Sequence, residues 1–308
     1  MIAAILPYPQ IDPVLIQIGP LAVRWYALSY IGGLLFAWWL IARSLRQKDL
    51  WRSPPFKGKA PATADDIGDL FVWATLGVIV GGRLGYDLFY GTIFCSLWTG
   101  PACTGLPMGY LHNPLTLIAD WNGWVPRLLG MSFHGGLIGV AVALYLFCRN
   151  RKLNVLQVGD LIATAAPIGL FFGRIANFIN GELWGKVTDS PLGMVFCNDI
   201  VMRTYRGVCP AGLLPRYPSQ LFEAAAEGLL LFAVMQVCLR VWRLHEKPGL
   251  LIAIFFTGYG LARFSVEFFR DSESMISGWF SMGMLLSLPM WAAAAFFFWV
   301  ALKPRTPS

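Results

Sequence analysis

Long apolar stretches set the limits for this chain. Windows of roughly 20 residues or more recur along it with few charges, the length that crosses a hydrocarbon core about 30 Å thick. Only 13% of the 308 residues are charged against 56% hydrophobic, roughly half the charge of an average soluble protein. The pattern predicts an all-α integral membrane protein, a bundle of about seven transmembrane helices forming a single membrane domain over 1–308. The predicted spans are about 19–43, 66–90, 128–148, 156–181, 219–240, 249–270 and 277–302.

Basic residues orient these spans. Arg43, Arg46, Lys48, Arg52, Lys57 and Lys59 lie in the first loop, and Arg149, Arg151 and Lys152 in the third. Arg240, Arg243 and Lys247 lie in the fifth, and Lys303 and Arg305 in the tail. By the positive-inside rule these alternate connections are cytoplasmic, as is the carboxyl terminus. The amino terminus and the 91–127, 182–218 and 271–276 connections then face outward. The opening residues lack a basic n-region and a cleavage site, so retention of the amino terminus is expected. The loops 91–127 and 182–218, rich in Gly, Pro and Trp, are expected to form a small periplasmic cap. Trp25, Trp98, Trp121, Trp124, Trp184 and Trp279 fall near span ends, as aromatic-belt residues do.

The net charge of +7 falls in short clusters between spans, which argues against nucleic acid as a partner. Neither half repeats the other, which weakens an inverted-repeat transporter architecture. Cys95, Cys103, Cys197 and Cys209 fall in outer loops, and Cys148 and Cys238 at inner span ends. Their spacing matches no common zinc motif, and no metal is expected. In an oxidising compartment the outer four could form Cys95–Cys103 and Cys197–Cys209 bridges or stay as thiols. A catalytic cysteine is disfavoured because no histidine is placed beside one.

The segment GRIANFINGELWG at 173–185 puts Arg174, Asn177, Asn180 and Glu182 at the end of an apolar span. A guanidinium at membrane depth costs roughly 2.5–3.5 kcal/mol on insertion scales, so Arg174 is expected to face protein and meet an anion. Counted from the predicted outer span ends, Tyr26, Arg83, His134, Arg174 and Arg263 share a depth of roughly 10 Å on five spans. Any one of them could snorkel or satisfy a packing partner. Three arginines at one level, however, need counter-charges or an anionic ligand.

Glu267 lies four residues after Arg263 on the same helical face, and Tyr259 four before it, a stripe that faces the bundle. Asn177 shares a face with Arg174 and is either an interhelical hydrogen-bonding residue or a ligand contact. Gly173, Gly181 and Gly185 read as close-packing or turn residues, although a glycine-rich terminus also opens room for a headgroup. His134, in SFHGGLIG, is flanked by glycines that remove bulk beside its imidazole; a structural hydrogen bond and an acid/base role stand level. Arg83 in GGRLGYDLFY, and Ser219, Gln220 and Glu223 in RYPSQLFEAAAEG, read as scaffold.

Arginine binds phosphate through planar, paired donors, so clustered arginines beneath the outer headgroups predict an anionic membrane lipid as ligand. Convergence of His134, Tyr26 and carboxylates there favours an enzyme. The alternative is an anionic-lipid transporter or scramblase, which would want polar residues at the midplane instead of crowded on one side. An intramembrane protease would need a Ser–His or paired-Asp arrangement that is lacking.

At these residues the chain closely resembles the prolipoprotein diacylglyceryl transferase family. The similarity is carried by RWYALSY at 24–30, GGRLGYDLFY at 81–90, SFHGGLIG at 132–139, GRIANFINGELWG at 173–185, YPSQLFEA at 217–224 and GYGLARFSVEFFR at 258–270, in family order. The resemblance implies a seven-helix enzyme of the bacterial cytoplasmic membrane with an outer amino terminus and no cofactor. It would move the diacylglyceryl group of phosphatidylglycerol to the lipobox cysteine thiol of a preprolipoprotein, with glycerol 1-phosphate leaving.

Carried over residue by residue, Arg174 matches the family's phosphatidylglycerol-binding arginine and Arg263 its second essential one. Tyr26, His134, Asn177, Glu182, Gly185, Tyr259 and Glu267 match other positions used for activity. The candidate catalytic set is His134, Arg263, Arg174, Tyr26 and Glu267. The candidate lipid-binding set is Arg174, Asn177, Arg263, Tyr259, Glu182, Gly185 and Arg83. The attacking thiol needs a base: His134 is the first candidate, with Glu267 or a thiol ionised by the arginine field as alternatives. Ala176 stands where glycine or leucine is frequent, and the 50–64 and 91–125 loops are long for the family.

Overall fold

A computed structural model describes residues 6–19, 21–88, 120–121, 126–127, 131–271, 275–277 and 280–303. A helix occupies each predicted span: α1 Trp25–Arg46, α2 Ala64–Leu88, α3 Phe133–Arg151, α4 Val155–Asn180, then a short α5 Asp199–Thr204, α6 Ser219–Arg240, α7 Leu250–Val266 and α8 Met282–Leu302. Among the described residues, α1, α2, α4, α6 and α8 are each long and apolar enough to cross a membrane. The apolar α7 is shorter, at 17 residues.

Several span ends differ from expectation. Residues 21–24 are not helical: β2 Val14–Ile18 pairs antiparallel with β3 Leu21–Arg24, and α1 begins only at Trp25. The nearly continuous apolar residues of this ribbon, VLIQI and LAVR, give a hydropathy signal that runs into the helix. The sixth span stops at Val266 instead of 270, and the seventh starts at Met282 after a ribbon of Met275–Ser277 with Phe280–Ser281.

The chain divides into two compact units, Pro61–Val158 and a second made of Met1–Ala60 with Gly159–Ser308. The Pro61–Val158 unit is built on α2 and α3. Gly77, Gly81 and Gly85 recur every four residues on α2, and Gly135 and Gly139 on α3. A methyl group added at Gly85 would sit 2.6 Å from Gly135 Cα, and one at Gly81 would sit 2.7 Å from Gly139 Cα. These backbones touch, so the stripe is the small-residue packing that membrane helices use where lipid offers no hydrophobic drive. Thr63 and Asp66 cap α2 reciprocally: Asp66 Oδ2 accepts from Thr63 N–H at 2.9 Å, and Thr63 Oγ1 from Asp66 N–H at 3.1 Å.

In the larger unit, Asp160 near the start of α4 caps the amino-terminal end of α7. Its carboxylate accepts from Gly249 N–H at 2.8 Å and Ile252 N–H at 2.9 Å, and its side chain is almost wholly buried. First-turn N–H groups have no helical partner, and burying them unmet costs about 1–3 kcal/mol apiece. Asp160→Ala is therefore expected to destabilise the protein by roughly 2–4 kcal/mol, read as a lower thermal midpoint in detergent. An unshifted midpoint would show that the cap contributes nothing. At the same end Arg240 bonds Gln47 Oε1 at 2.6 Å, and His245 Nε2 donates to the Leu50 carbonyl at 2.7 Å between Trp51 and Phe56. Burial lowers the His245 pKa, which keeps that imidazole neutral.

At the opposite end of α4, Met194, Phe196, Val201 and Ala211 of the 181–218 segment form an apolar cluster with Tyr8 and with Phe178 of α4. The Tyr8 hydroxyl donates to the last carbonyls of α4, Phe178 O at 2.6 Å and Ile179 O at 2.9 Å. It thereby ties the first described residues to that helix terminus. Cys197 and Cys209 form a disulfide within this segment, whereas Cys148 and Cys238 are buried thiols. Cys95 and Cys103 lie outside the described residues.

Candidate functional site

Arg174, on the last turns of α4, does find its anion, and the anion is protein. Its Nε and Nη2 donate to Glu227 Oε2 at 3.2 and 3.0 Å, and its Nη1 lies 3.1 Å from Glu223 Oε2. Glu223 is shared: Arg263 Nη1 contacts its Oε1 at 3.1 Å and Arg270 Nη1 at 3.4 Å. Arg263 also pairs with Glu267 Oε2 at 2.9 Å, the i,i+4 partnership expected from spacing. Three guanidiniums thus meet three carboxylates, and the cluster is formally neutral.

The helices explain how this is held. Glu223 and Glu227 sit at the border and in the middle of a π-helical turn, Ala224–Leu230, inside α6. Such single wide turns recur at functional sites. Here both carboxylates face Arg174. Gly228 lets that turn close on α4, since a methyl there would come within 2.7 Å of Phe171 Cβ. The amino-terminal end of α8 sits over Glu267: Ser281 Oγ donates to Glu267 Oε1 at 2.8 Å, and a methyl at Gly283 would lie 2.5 Å from that carboxylate. A helix amino terminus favours negative charge.

Burial is uneven across the cluster, and the unevenness is informative. The Glu223 and Glu227 side chains are fully buried, while those of Arg174, Arg263 and Arg270 keep 16%, 15% and 19% of their surface exposed. The carboxylates are enclosed, and what exposure the cluster keeps at these pairs belongs to the arginine side chains. Glu227 Oε1 and Gln220 Oε1 are buried with no hydrogen-bond partner among the described residues. Among those residues, no three His, Cys, Asp or Glu side chains are grouped as metal ligands.

A polar knot adjoins the cluster. Asn177 and Asn180 both donate to Glu182 Oε1, at 2.9 and 3.2 Å, and Gln220 donates to the Glu182 carbonyl at 2.6 Å. The bond of Asn177 therefore lies within its own helix end instead of running between helices. Gly185 is enclosed: a methyl there would sit 2.5 Å from the Phe269 carbonyl and 2.7 Å from Tyr217 Cβ. Tyr259 stacks on Phe255 at 6.0 Å and lies within the electrostatic reach of Glu227, Arg174 and Arg263. Tyr26 pairs with Tyr30, hydroxyl to hydroxyl at 3.1 Å, and feels the charges of Glu182 and Arg174.

The equal-depth layer needs correction. Tyr26 and His134 are each the second residue of their helix, not six or seven residues inside, because α1 starts at Trp25 and α3 at Phe133. His134 and Arg83 belong to the Pro61–Val158 unit. There Arg83 is buried and lies over the Tyr86 ring at 5.7 Å, His134 is exposed, and Gly135 is spent on contact with α2. Arg174, Arg263, Tyr259, Glu267, Asn177, Glu182, Gly185 and Tyr26 all fall in the larger unit.

Glu223, Glu227 and Arg270 were not among the sequence candidates for chemistry, yet Glu223 is the hub. The signal was available, since two carboxylates four residues apart inside an apolar span carry the same penalty that singled out Arg174.

The model of the prolipoprotein diacylglyceryl transferase family matches residues 13–300. A phosphatidylglycerol–prolipoprotein diacylglyceryl transferase of Rhodospirillum rubrum is 47% identical over 305 residues, covering 97% of this chain and 96% of its own. Those of Caulobacter vibrioides and Phenylobacterium zucineum are 45% and 41% identical, over 96% and 98% of this chain and 95% and 96% of theirs. Nothing in these relationships favours a transporter.

Proposed function

The chain belongs to the prolipoprotein diacylglyceryl transferase family, and on that premise we propose that it carries out the first step of lipoprotein maturation. The diacylglyceryl group of phosphatidylglycerol is transferred to the lipobox cysteine of a preprolipoprotein. Its apolar helices and its family make it a multi-pass protein of the bacterial inner membrane. The basic loops support a periplasmic amino terminus and a cytoplasmic carboxyl terminus, and so a single membrane domain of seven spans with its arginine site toward the periplasm.

The observation that carries the reading is the convergence of Arg174, Arg263 and Arg270 on the enclosed Glu223, with the three arginine side chains partly exposed. A phosphodiester laid against those side chains meets planar donors already fixed by ion pairs. The cysteine sulfur attacks the glycerol carbon that carries the phosphate ester. The carbon–sulfur bond forms as the carbon–oxygen bond breaks, and the electron pair leaves with glycerol 1-phosphate. Charge grows on the departing oxygen, and fixed guanidiniums in a poorly hydrated site stabilise it there. Asn177 and Glu182, hydrogen-bonded together beside Arg174, with Tyr26 and Tyr259, shape the headgroup site. Gly185 keeps the covering loop close.

The thiol proton leaves to a base, for which His134 is the first candidate. The deciding assay combines purified protein, phosphatidylglycerol and a lipobox peptide, scored for release of glycerol phosphate. No release from folded protein overturns the assignment. In the same assay a His134→Gln variant with an unaltered pH–rate profile removes His134 as the base and leaves Glu267 or a field-ionised thiol.

A further inference from the structure

A groove of about 510 Å³ lies on the flank of α6 and α7 beside the charged cluster. Tyr217, Phe222 and Phe269 form its roof, their rings mutually packed at 5.4–6.1 Å between centroids. Below the roof α6 offers only Ala225 and Ala226 before Leu230, and α7 offers Ser265 and Val266. The groove exists because these positions are small. Its lining is almost entirely apolar, and Leu230 and Phe269 are 64% and 42% exposed, so it opens sideways to whatever surrounds the helices.

Its position relative to the charges identifies the occupant. Phe222 precedes Glu223, Ala226 precedes Glu227, Val266 precedes Glu267, and Phe269 precedes Arg270. Successive helical residues turn by about 100°, so along α6 the groove lines the flank next to the one that carries Glu223 and Glu227. Consecutive residues are about 3.8 Å apart, so a lipid whose phosphate meets Arg270 or Arg263 has a hydrocarbon tail within reach of the groove. Groove and charges run over the same stretch: Phe222, Ala225, Ala226 and Leu230 interleave with Glu223 and Glu227, and Ser265, Val266 and Phe269 with Arg263, Glu267 and Arg270. An apolar groove running beside a row of charges matches a phospholipid, and the volume falls in the range of small-ligand sites.

We propose that this groove seats one acyl chain of the donor phospholipid and so sets how the glycerol carbon is presented to the thiol. The proposal rests on the transferase reading of the arginine cluster. Ala226→Phe places a ring in the groove. Full-length protein is assayed with a lipobox peptide and phosphatidylglycerol bearing either palmitoyl or hexanoyl chains. The long-chain to short-chain ratio of kcat/KM is expected to fall on the order of tenfold in the variant, as overfilling a packed space predicts. An unchanged ratio, with both lipids affected equally or neither affected, overturns the groove assignment.

A second readout does not depend on the variant folding. Phosphatidylglycerol with a diazirine at the tail end should label peptides containing 222–230 or 265–269 in the unsubstituted protein, and dipalmitoyl phosphatidylglycerol should compete. Labelling elsewhere only sinks the proposal. If the unsubstituted protein releases no glycerol phosphate from either lipid, the transferase reading itself fails, and the labelling pattern still decides the groove.

Discussion

Arg174→Lys retains a folded, membrane-inserted protein and loses transfer activity by roughly 10²- to 10³-fold, the scale of removing one fixed donor from a site of developing negative charge. Lysine keeps the positive charge but not the fork that spans Glu223 Oε2 and Glu227 Oε2. Arg174→Ala inactivates as well, but with a second effect. Glu227 loses the two hydrogen bonds that Arg174 donates to it, and a buried carboxylate stripped of these bonds destabilises the fold. Comparing the two variants separates chemistry from stability. Thermal midpoint and labelled-diacylglyceryl incorporation are measured side by side, and near-normal turnover by the lysine variant would remove the phosphate role from Arg174.

Glu223→Gln produces the larger structural effect. One carboxylate balances parts of three guanidiniums, so its neutralisation leaves Arg174, Arg263 and Arg270 facing only Glu227 and Glu267. Breaking a buried charge pair from one side costs about 3–5 kcal/mol, and here three partners share the loss. The glutamine has the same shape and retains hydrogen-bonding atoms, so a fall in thermal midpoint reports charge and not packing. Glu223→Asp keeps the charge on a shorter stem and should recover part of the midpoint. A Glu223→Gln protein as stable and active as the parent would mean that the arginines are held by something else.

The helices, the buried arginines and the Arg263–Glu267 pair were readable from residues alone, because each depends on local rules: hydropathy over about 20 residues, the cost of charge in lipid, and i,i+4 spacing. Helix starts were misplaced where a second apolar pattern abutted the first, as in the Val14–Arg24 ribbon before α1. That displacement carried Tyr26 to its helix end and dissolved the equal-depth argument for it. His134 moved to a helix end because α3 starts at Phe133, with Ser132 as its cap. The membrane cost of Glu223 and Glu227 was legible, but the role of Glu223 as a hub was not, for a different reason. Its three partners lie 49, 40 and 47 residues away along the chain, and no local periodicity links such positions. Glu223 and Glu227 taken singly look like scaffold; only the folded helices place both of them on Arg174.

The even count of three guanidiniums and three carboxylates has its own bearing on turnover. A site that is already electrically balanced holds a phosphodiester by the direction of its donors and by the lipid's tail, not by bulk attraction. The entering diester carries one negative charge, whereas a phosphate monoester near neutral pH approaches two. The departing anion therefore presses a second charge toward Glu223, Glu227 and Glu267 and no longer has a hydrocarbon anchor. Catalysis and product expulsion arise from the same symmetry: the arrangement that steadies the charge as it forms has no surplus with which to keep it.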